Sequence, residues 1–494
     1  MTTRVSMSIV RLVSAFCFIV PFLIAQEEQH YNHGELNWKT IETQHFFIHF
    51  HNGAERTANV IAKVAEDIYG PVTSLYQHEP DHKVSFIIKD YDDYSNGAAY
   101  FYDNKIEIWA PSLDFPFRGA HNWLRNVITH EFTHIIQIQT SMKFGRRFPG
   151  FYLQWLNYEN ERRQDVLYGY PNTVVSYPVS GFIVPSWFAE GVAQYNRPEL
   201  NYDFWDSNRD MILRSYVLDS NMLSWSEMSV FGKTSLGNES SYNAGFALTK
   251  FITEQYGQEA IPKIAKGISR VDNIMIDQSI ERTLGISGQQ LYDLWKDSIT
   301  ARYAKQTEGI RSNLVEGEKF FLDGNDSLTT GIGFGNLNPS FSPVGNKFVF
   351  TSNKENDYLG LSGVYLGNFE TRKETYITGG VRSQLSWSPD GKKIYYTKHS
   401  HNNPNGSELS DIYIYDLDEE EETRLTFGLR AISAALSPDG THFTFTYQND
   451  GTVNIAVVDS NGKNFRQLTP FAHGEQTYHP VWSPDGRWIV FGYS

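Results

Sequence analysis

His130-Glu131-Phe132-Thr133-His134 is the stretch of this chain whose residue types and spacing suffice, by themselves, to suggest chemistry. On a helix of 3.6 residues per turn, positions i and i+4 leave the same face, so both imidazoles can close on one metal ion. Glu131 stands ~100° round from His130, near enough to hold a water at that ion without being a ligand. Val127 and Ile128 precede the motif and Ile135 and Ile136 follow it, which suits a half-buried helix; the competing reading is a structural histidine pair. Two histidines leave a catalytic zinc site one protein ligand short. Glu190 is the candidate, within Pro185-Ser186-Trp187-Phe188-Ala189-Glu190-Gly191. Pro185-Ser186 reads as a helix entry with Ser186 as N-cap, which puts Glu190 in the first turns. An acid there also complements the helix dipole, so position alone leaves both roles open.

The elements around these residues fall into stretches of different texture. Residues 38–110 alternate strand and helix patterns: His45–His51 and Val84–Ile88 are short apolar runs with helix-periodic Ala54–Tyr69 between them. Gly70-Pro71 is expected to punctuate the chain after that helix. Ala99–Tyr102 and Lys105–Trp109 are strand-like pieces around Asp103-Asn104. Residues 121–310 read as mostly helical, with Gly257 as a C-cap after Tyr256. From about residue 320 the chain repeats. Ser342-Pro343-Val344-Gly345, Ser388-Pro389-Asp390-Gly391, Ser437-Pro438-Asp439-Gly440 and Ser483-Pro484-Asp485-Gly486 recur every ~46–49 residues, each followed by an alternating apolar strand. Leu328-Thr329, Ile377-Thr378, Leu425-Thr426 and Leu468-Thr469 mark strand ends ahead of them. Pro pre-sets the first central position of a tight turn and Gly relieves strain at its end, and a 40–50-residue period of strands signals propeller blades. The acidic run Asp418–Glu422 reads as a solvated turn between two blade strands.

Composition narrows the class. The 494 residues are 40% apolar and 15% aromatic, enough for sizeable cores and incompatible with wholesale disorder. A net charge of −15 without a long basic run argues against nucleic acid or anionic lipid as the main partner. No apolar run approaches the ~20 residues of a membrane span. The one cysteine, Cys17, lies in the apolar run Leu12–Ala25, which follows Arg4 and Arg11 and ends in small Ala25. That is the pattern of a secretory signal over residues 1–25, so the chain is expected to be exported and, after cleavage, free of cysteine and of any transmembrane span.

The repeats resemble TolB-type β-propeller blades, about three and a half of them over residues 320–494. That implies an incomplete propeller and a chain that naturally continues past Ser494. The histidine motif followed by Trp187-Phe188-Ala189-Glu190-Gly191-Val192-Ala193-Gln194-Tyr195 resembles the gluzincin metallopeptidases. For residues 26–310 the resemblance implies a thermolysin-like α+β domain, a mixed sheet plus a helical subdomain. It also implies His130, His134 and Glu190 as ligands of one catalytic Zn2+, with Glu131 as general base. Tyr242-Asn243-Ala244-Gly245-Phe246-Ala247-Leu248 is similar to the aminopeptidase-branch segment whose tyrosine stabilises the oxyanion. The match falls on Tyr242, which otherwise reads as a core aromatic at helical spacing with Phe246. No G-x-M-E-N motif occurs, and Lys105–Trp109 is the candidate edge strand for pairing with substrate backbone.

The insertion between His134 and Glu190, with Arg146-Arg147 and Arg162-Arg163, reads either as a wall of the substrate site or as a solvated excursion. The expectation is an exported zinc metallopeptidase of the bacterial periplasm or exterior, acting on a peptide or protein, with the propeller open to a protein partner. The competing expectation is a non-catalytic binding or scaffold protein that carries a zinc-bearing peptidase-like domain. A serine hydrolase would need a G-x-S-x-G elbow, and these residues contain none.

Overall fold

The computed structural model describes residues 33–494 except 114–117, 119–121, 147–149, 159–170, 196–199, 201–202, 233–234, 319, 321–334, 355 and 357–358. The signal-like residues 1–25, the arginines Arg147, Arg162 and Arg163, and Leu328-Thr329 lie outside the described residues.

Alternating apolar residues make the first strands. In β2 (Phe46–His51) and β3 (Val84–Lys89), Phe46, Ile48, Phe50, Val84, Phe86 and Ile88 are buried and their neighbours less so, as a one-sided sheet requires. With β1 (Trp38–Glu42), β4 (Gly97–Tyr100) and β5 (Lys105–Trp109) they form a mixed sheet in the order β1-β2-β3-β5-β4. The central pairs β2–β3 and β3–β5 are parallel and the outer pairs antiparallel. Lys105–Trp109 is therefore an interior strand, and the edge belongs to β4. The hairpin turn at Asp103-Asn104 folds β4 back along β5, and among the described residues no strand pairs with its other side.

Helix α1 (Glu55–Tyr76) crosses from β2 to β3 and buries Ile61, Ala65, Ile68, Val72 and Tyr76. Gly70-Pro71 does not end it. The apolar spacing Ile68–Val72–Tyr76 continues through Pro71, and burial of that stripe outweighs the one hydrogen bond a proline forgoes. The helix stops at Gln77, which takes a left-handed conformation at φ 50° and donates its N–H to Thr73.

Residues 121–310 are mainly helical: α2 (Trp123–Ser141), α3 (Ser186–Tyr195), α4 (Ser207–Leu218), α5 (Ser235–Tyr256), α6 (Ala260–Ile268), α7 (Ile276–Leu284) and α8 (Gly288–Ser312). Gly257, at φ 83°, follows α5 as expected of a C-cap. One departure is the antiparallel hairpin of β6 (Gly150–Tyr158) and β7 (Pro171–Ser180) in the insertion, where a helical texture was expected. Its paired Trp155–Val175 and Leu156–Val174 are exposed.

Among the described residues the C-terminal part holds three four-stranded antiparallel sheets and a final hairpin, Thr477–Trp482 with Ile489–Tyr493. Each Ser-Pro-Asp-Gly turn closes the same way. Gly440 N–H donates to the Ser437 carbonyl at 2.9 Å, and the Ser437 hydroxyl accepts from the His442 amide at 3.0 Å and donates to Asp439 at 2.6 Å. That hydroxyl contact draws the Asp439 carboxyl down to about 2. Gly345, Gly391, Gly440 and Gly486 all sit at φ between 69° and 76°, where a side chain would be strained. The threonines that mark strand ends act as spare backbone: Thr426 and Thr469 hydroxyls accept the Ile412 and Ile455 amides at 3.0 and 2.9 Å. Trp387 and Trp482 donate their indole N–H to Ser340 and Ala435, joining neighbouring sheets. The acidic run is not solvated throughout, because Glu422 turns inward to accept from Tyr396 and Thr378.

Candidate metal centre

Helix α2 carries His130, Glu131 and His134 and is buried over most of its surface. Asn122 opens it, its side chain accepting the Arg125 amide at 3.2 Å. On the sheet side, Phe132 packs in the cluster of Phe46 and Tyr69, with ring centroids 5.3 and 5.8 Å away. With Phe132 locked there, the opposite face of the helix, bearing both histidines, turns towards α3.

Helix α3 is anchored by Trp187 and Phe188, both fully buried. Ser186 is its first helical residue, not its N-cap, and its hydroxyl donates to the Met228 carbonyl at 2.9 Å. Gln137, one turn beyond His134, donates to the Phe188 carbonyl and ties α2 to α3. Behind α3 runs α5, and the two touch backbone to backbone. A Cβ on Gly191 would lie 2.3 Å from Gly245 backbone atoms, and one on Gly245 would lie 2.3 Å from the Trp187 carbonyl oxygen. Those two glycines let α5 come close enough to set Tyr242 beside the histidines.

The outcome is a convergence of three donor atoms. His130 Nε2 and His134 Nε2 are 3.0 Å apart, and Glu190 Oε2 is 3.1 Å from the first and 3.4 Å from the second. Bonds of about 2.0–2.1 Å to a tetrahedral ion put its ligand atoms about 3.3–3.4 Å apart, so these atoms span one face of such a shell. The donor set, two imidazoles and a carboxylate, is one that zinc accepts. Among the described residues this is the metal-capable cluster of His, Cys, Asp and Glu that the fold assembles.

Electrostatics agree with the crowding. Burial opposes charge on Glu190, but attraction to His134 and hydrogen bonds from both histidines hold its carboxyl far below the usual range. His134 pays desolvation too, and Glu190 still raises its pKa. For Glu131, 7% exposed, burial prevails over the pull of the two histidines and the carboxyl is raised. Among the described residues, His134 Nδ1 is buried and has no hydrogen-bond partner.

Glu131 leans on the sheet edge. The Ala99 backbone N–H faces its carboxylate and works against the rise in its pKa, and a Cβ on Gly97 would lie 2.6 Å from its Oε1. Only glycine leaves room there. Tyr242 stacks near His130, with ring centroids 6.4 Å apart at 26°. The Arg118 guanidinium lies 4.8 Å from the centre of the Tyr242 ring and pairs with Glu239 at 3.0 Å. Burial raises the Tyr242 hydroxyl well above its ordinary value, so it is a neutral donor. Sequence reasoning passed over Gly97, Arg118 and Glu239. Gly97 alone had a signal, as a glycine two residues ahead of the strand-like run Ala99–Tyr102.

Comparison with known proteins bears on the C-terminal third of the molecule. Residues 326–494 match the TolB beta propeller domain. The chain is 33% identical over 156 residues to the Tol-Pal system protein TolB of Francisella tularensis subsp. mediasiatica, covering 31% of this chain and 34% of that protein. It is 30% identical over 106 residues to the uncharacterized peptidase YuxL of Bacillus subtilis, covering 21% of this chain and 16% of the relative. Among solved structures, TolB from Acinetobacter baumannii aligns with a TM-score of 0.27 and 26% identity over 32% of this chain and 37% of that one. The chain thus spans about a third of the length of the TolB proteins it matches. It combines a largely helical N-terminal part with a TolB-like, β-rich C-terminal part. Among the described residues no helix is long and apolar enough to cross a membrane.

Proposed function

We propose that this protein is an exported zinc metallopeptidase whose N-terminal part has the thermolysin-like, gluzincin architecture and whose TolB-type propeller accompanies it. The observation that carries the reading is the meeting of His130 Nε2, His134 Nε2 and Glu190 Oε2 within 3.0–3.4 Å of one another, from helices 60 residues apart in sequence. A Zn2+ held by these three atoms would supply Lewis acidity, acidifying water and polarising the scissile carbonyl. Glu131 is the general base. It takes a proton from the attacking water and returns it to the leaving amine. Tyr242 donates its hydroxyl hydrogen to the oxyanion that develops on the carbonyl. Strand β4, with its unpaired side at the site, replaces β5 as the edge against which an extended peptide aligns.

Support from outside the site is of a coarser kind. The peptidase name of YuxL accords with a hydrolase, and the bacterial TolB relatives, with the signal-like residues 1–25, accord with the periplasm or cell exterior. The deciding experiment is cleavage of a mixed peptide library by the purified protein, with zinc quantified on the same sample. Cleavage that stops on chelation and returns with stoichiometric Zn2+ is expected. A zinc-replete protein that cleaves nothing in the library would replace this reading with a scaffold that merely carries the ion.

A further inference from the structure

The loop Asp90–Asn96 between β3 and β4 is held by the propeller far more than by its own domain. Arg430 reaches across with Nη2 to Asp90 Oδ1 at 2.9 Å and Nε to Asp93 Oδ1 at 2.7 Å. The second oxygens of those carboxylates accept propeller amides: Asp450 N on Asp90 at 3.0 Å and Ser410 N on Asp93 at 2.8 Å. Gln448 adds a third bond to Asp90, and Glu408 and the Asp92–Asp93 backbone and side chain exchange two more. Asp90 and Asp93 are 7% and 6% exposed, so Arg430 is the cation that makes burying two carboxylates tolerable. The far end of this loop is Asn96, whose side chain accepts the Gly97 amide at 2.9 Å and whose carbonyl accepts Trp109 N–H at 3.0 Å. Gly97 opens β4, the strand that touches Glu131.

We infer that Arg430 of the propeller is a positioning residue for Glu131, acting through the Asp90–Asn96 loop on edge strand β4. Among the described residues β4 pairs with a neighbouring strand on one side only, so its distance from helix α2 depends on how its entry loop is pinned. A second contact between the two parts serves as an internal control. Asp450 accepts the Arg56 and Thr57 amides at 2.7 and 3.0 Å, capping from the propeller a helix α1 whose own cap residue, Ala54, makes no side-chain bond. The Asp450 side chain feeds into α1, and its backbone N–H, which donates to Asp90, stays in place when that side chain is removed.

The kinetic part of the inference rests on the peptidase reading; the structural part does not. Both are tested on the full chain with Arg430→Gln, the milder Asp93→Asn, Arg430→Lys and the control Asp450→Ala. Amide hydrogen exchange in Arg430→Gln is expected to rise at Gly97–Tyr100 while Val84–Lys89 and His442–Asn449 keep their protection. Asp93→Asn should do the same more weakly. Asp450→Ala should raise exchange at Arg56 and Thr57 alone. With bound zinc unchanged, kcat of Arg430→Gln should fall about 10- to 100-fold at near-constant KM, the cost of an ångström-scale misplacement, and Arg430→Lys should recover part of it. Unchanged exchange at Gly97–Tyr100 overturns the inference, and so does an equal rise there in Asp450→Ala, which would mean that any loosening of the docked propeller acts alike. If the wild type turns over no peptide, the peptidase reading fails while the exchange measurements still decide the positioning role.

Discussion

The candidate metal centre and the propeller turns each fix a few side chains, by opposite means. In the Ser437–Gly440 turn every bond joins residues at most five apart, so the motif carries its own geometry and can be repeated along the chain. At the candidate metal centre, His130 meets Glu190 across 60 residues, and the meeting depends on Phe132 facing the sheet and on glycines at a helix crossing. Local devices are redundant and degrade gradually. A convergent site is cooperative and fails as a unit.

That contrast can be broken or sharpened by substitution. Glu190→Ala should have the largest effect: it removes a ligand and leaves two facing imidazoles, so bound zinc and chelator-sensitive cleavage should vanish together, as read by metal analysis and peptide turnover. Retention of one equivalent of tightly held zinc would deny Glu190 its place in the centre. Glu131→Gln should keep the zinc and lower kcat by about 10²–10⁴-fold, the span typical of a lost general base. Near-normal rates in that variant would remove Glu131 from the mechanism. Tyr242→Phe should lower kcat by about 10²-fold at unchanged zinc content, as for loss of one oxyanion donor. Unaltered kcat would leave Tyr242 as packing against Phe231 and His130.

Smaller effects probe packing. Gly245→Ala has no room at the crossing with Trp187, so about 1–3 kcal/mol of stability should be lost in denaturant melts, with a fall in zinc affinity because α3 shifts. Ser437→Ala should cost about 1 kcal/mol and leave zinc untouched, because its hydroxyl serves one turn only. If the last two variants disturbed zinc equally, the separation between local and convergent devices would not stand.

Much of the site was readable from residue order. The i, i+4 pairing of His130 and His134 follows from helical pitch, and the turns follow from Pro-preset and Gly-relieved backbone, both short-range constraints written into adjacent residues. Strands β2, β3 and β5 were legible for the same reason, since alternation is local. Where neighbours far along the chain decide, residue order was silent or misleading. Pro71 sits within α1 because the apolar stripe on either side of it is buried against the sheet. Lys105–Trp109 is interior because β4 folds back on it, a pairing that patterning of either strand cannot rank.

The sequence by itself determined which residues are able to bind a metal, which turns repeat, and that an acid would stand near the start of helix α3. Tertiary structure alone decided that this acid faces two histidines instead of serving only the helix dipole, that Gly97 and Ala99 line Glu131, and that a propeller arginine neutralises Asp90 and Asp93. The reason is physical. Backbone preferences act over a few residues, whereas a ligand shell, a sheet edge and a buried ion pair exist only where segments remote in sequence are packed into contact.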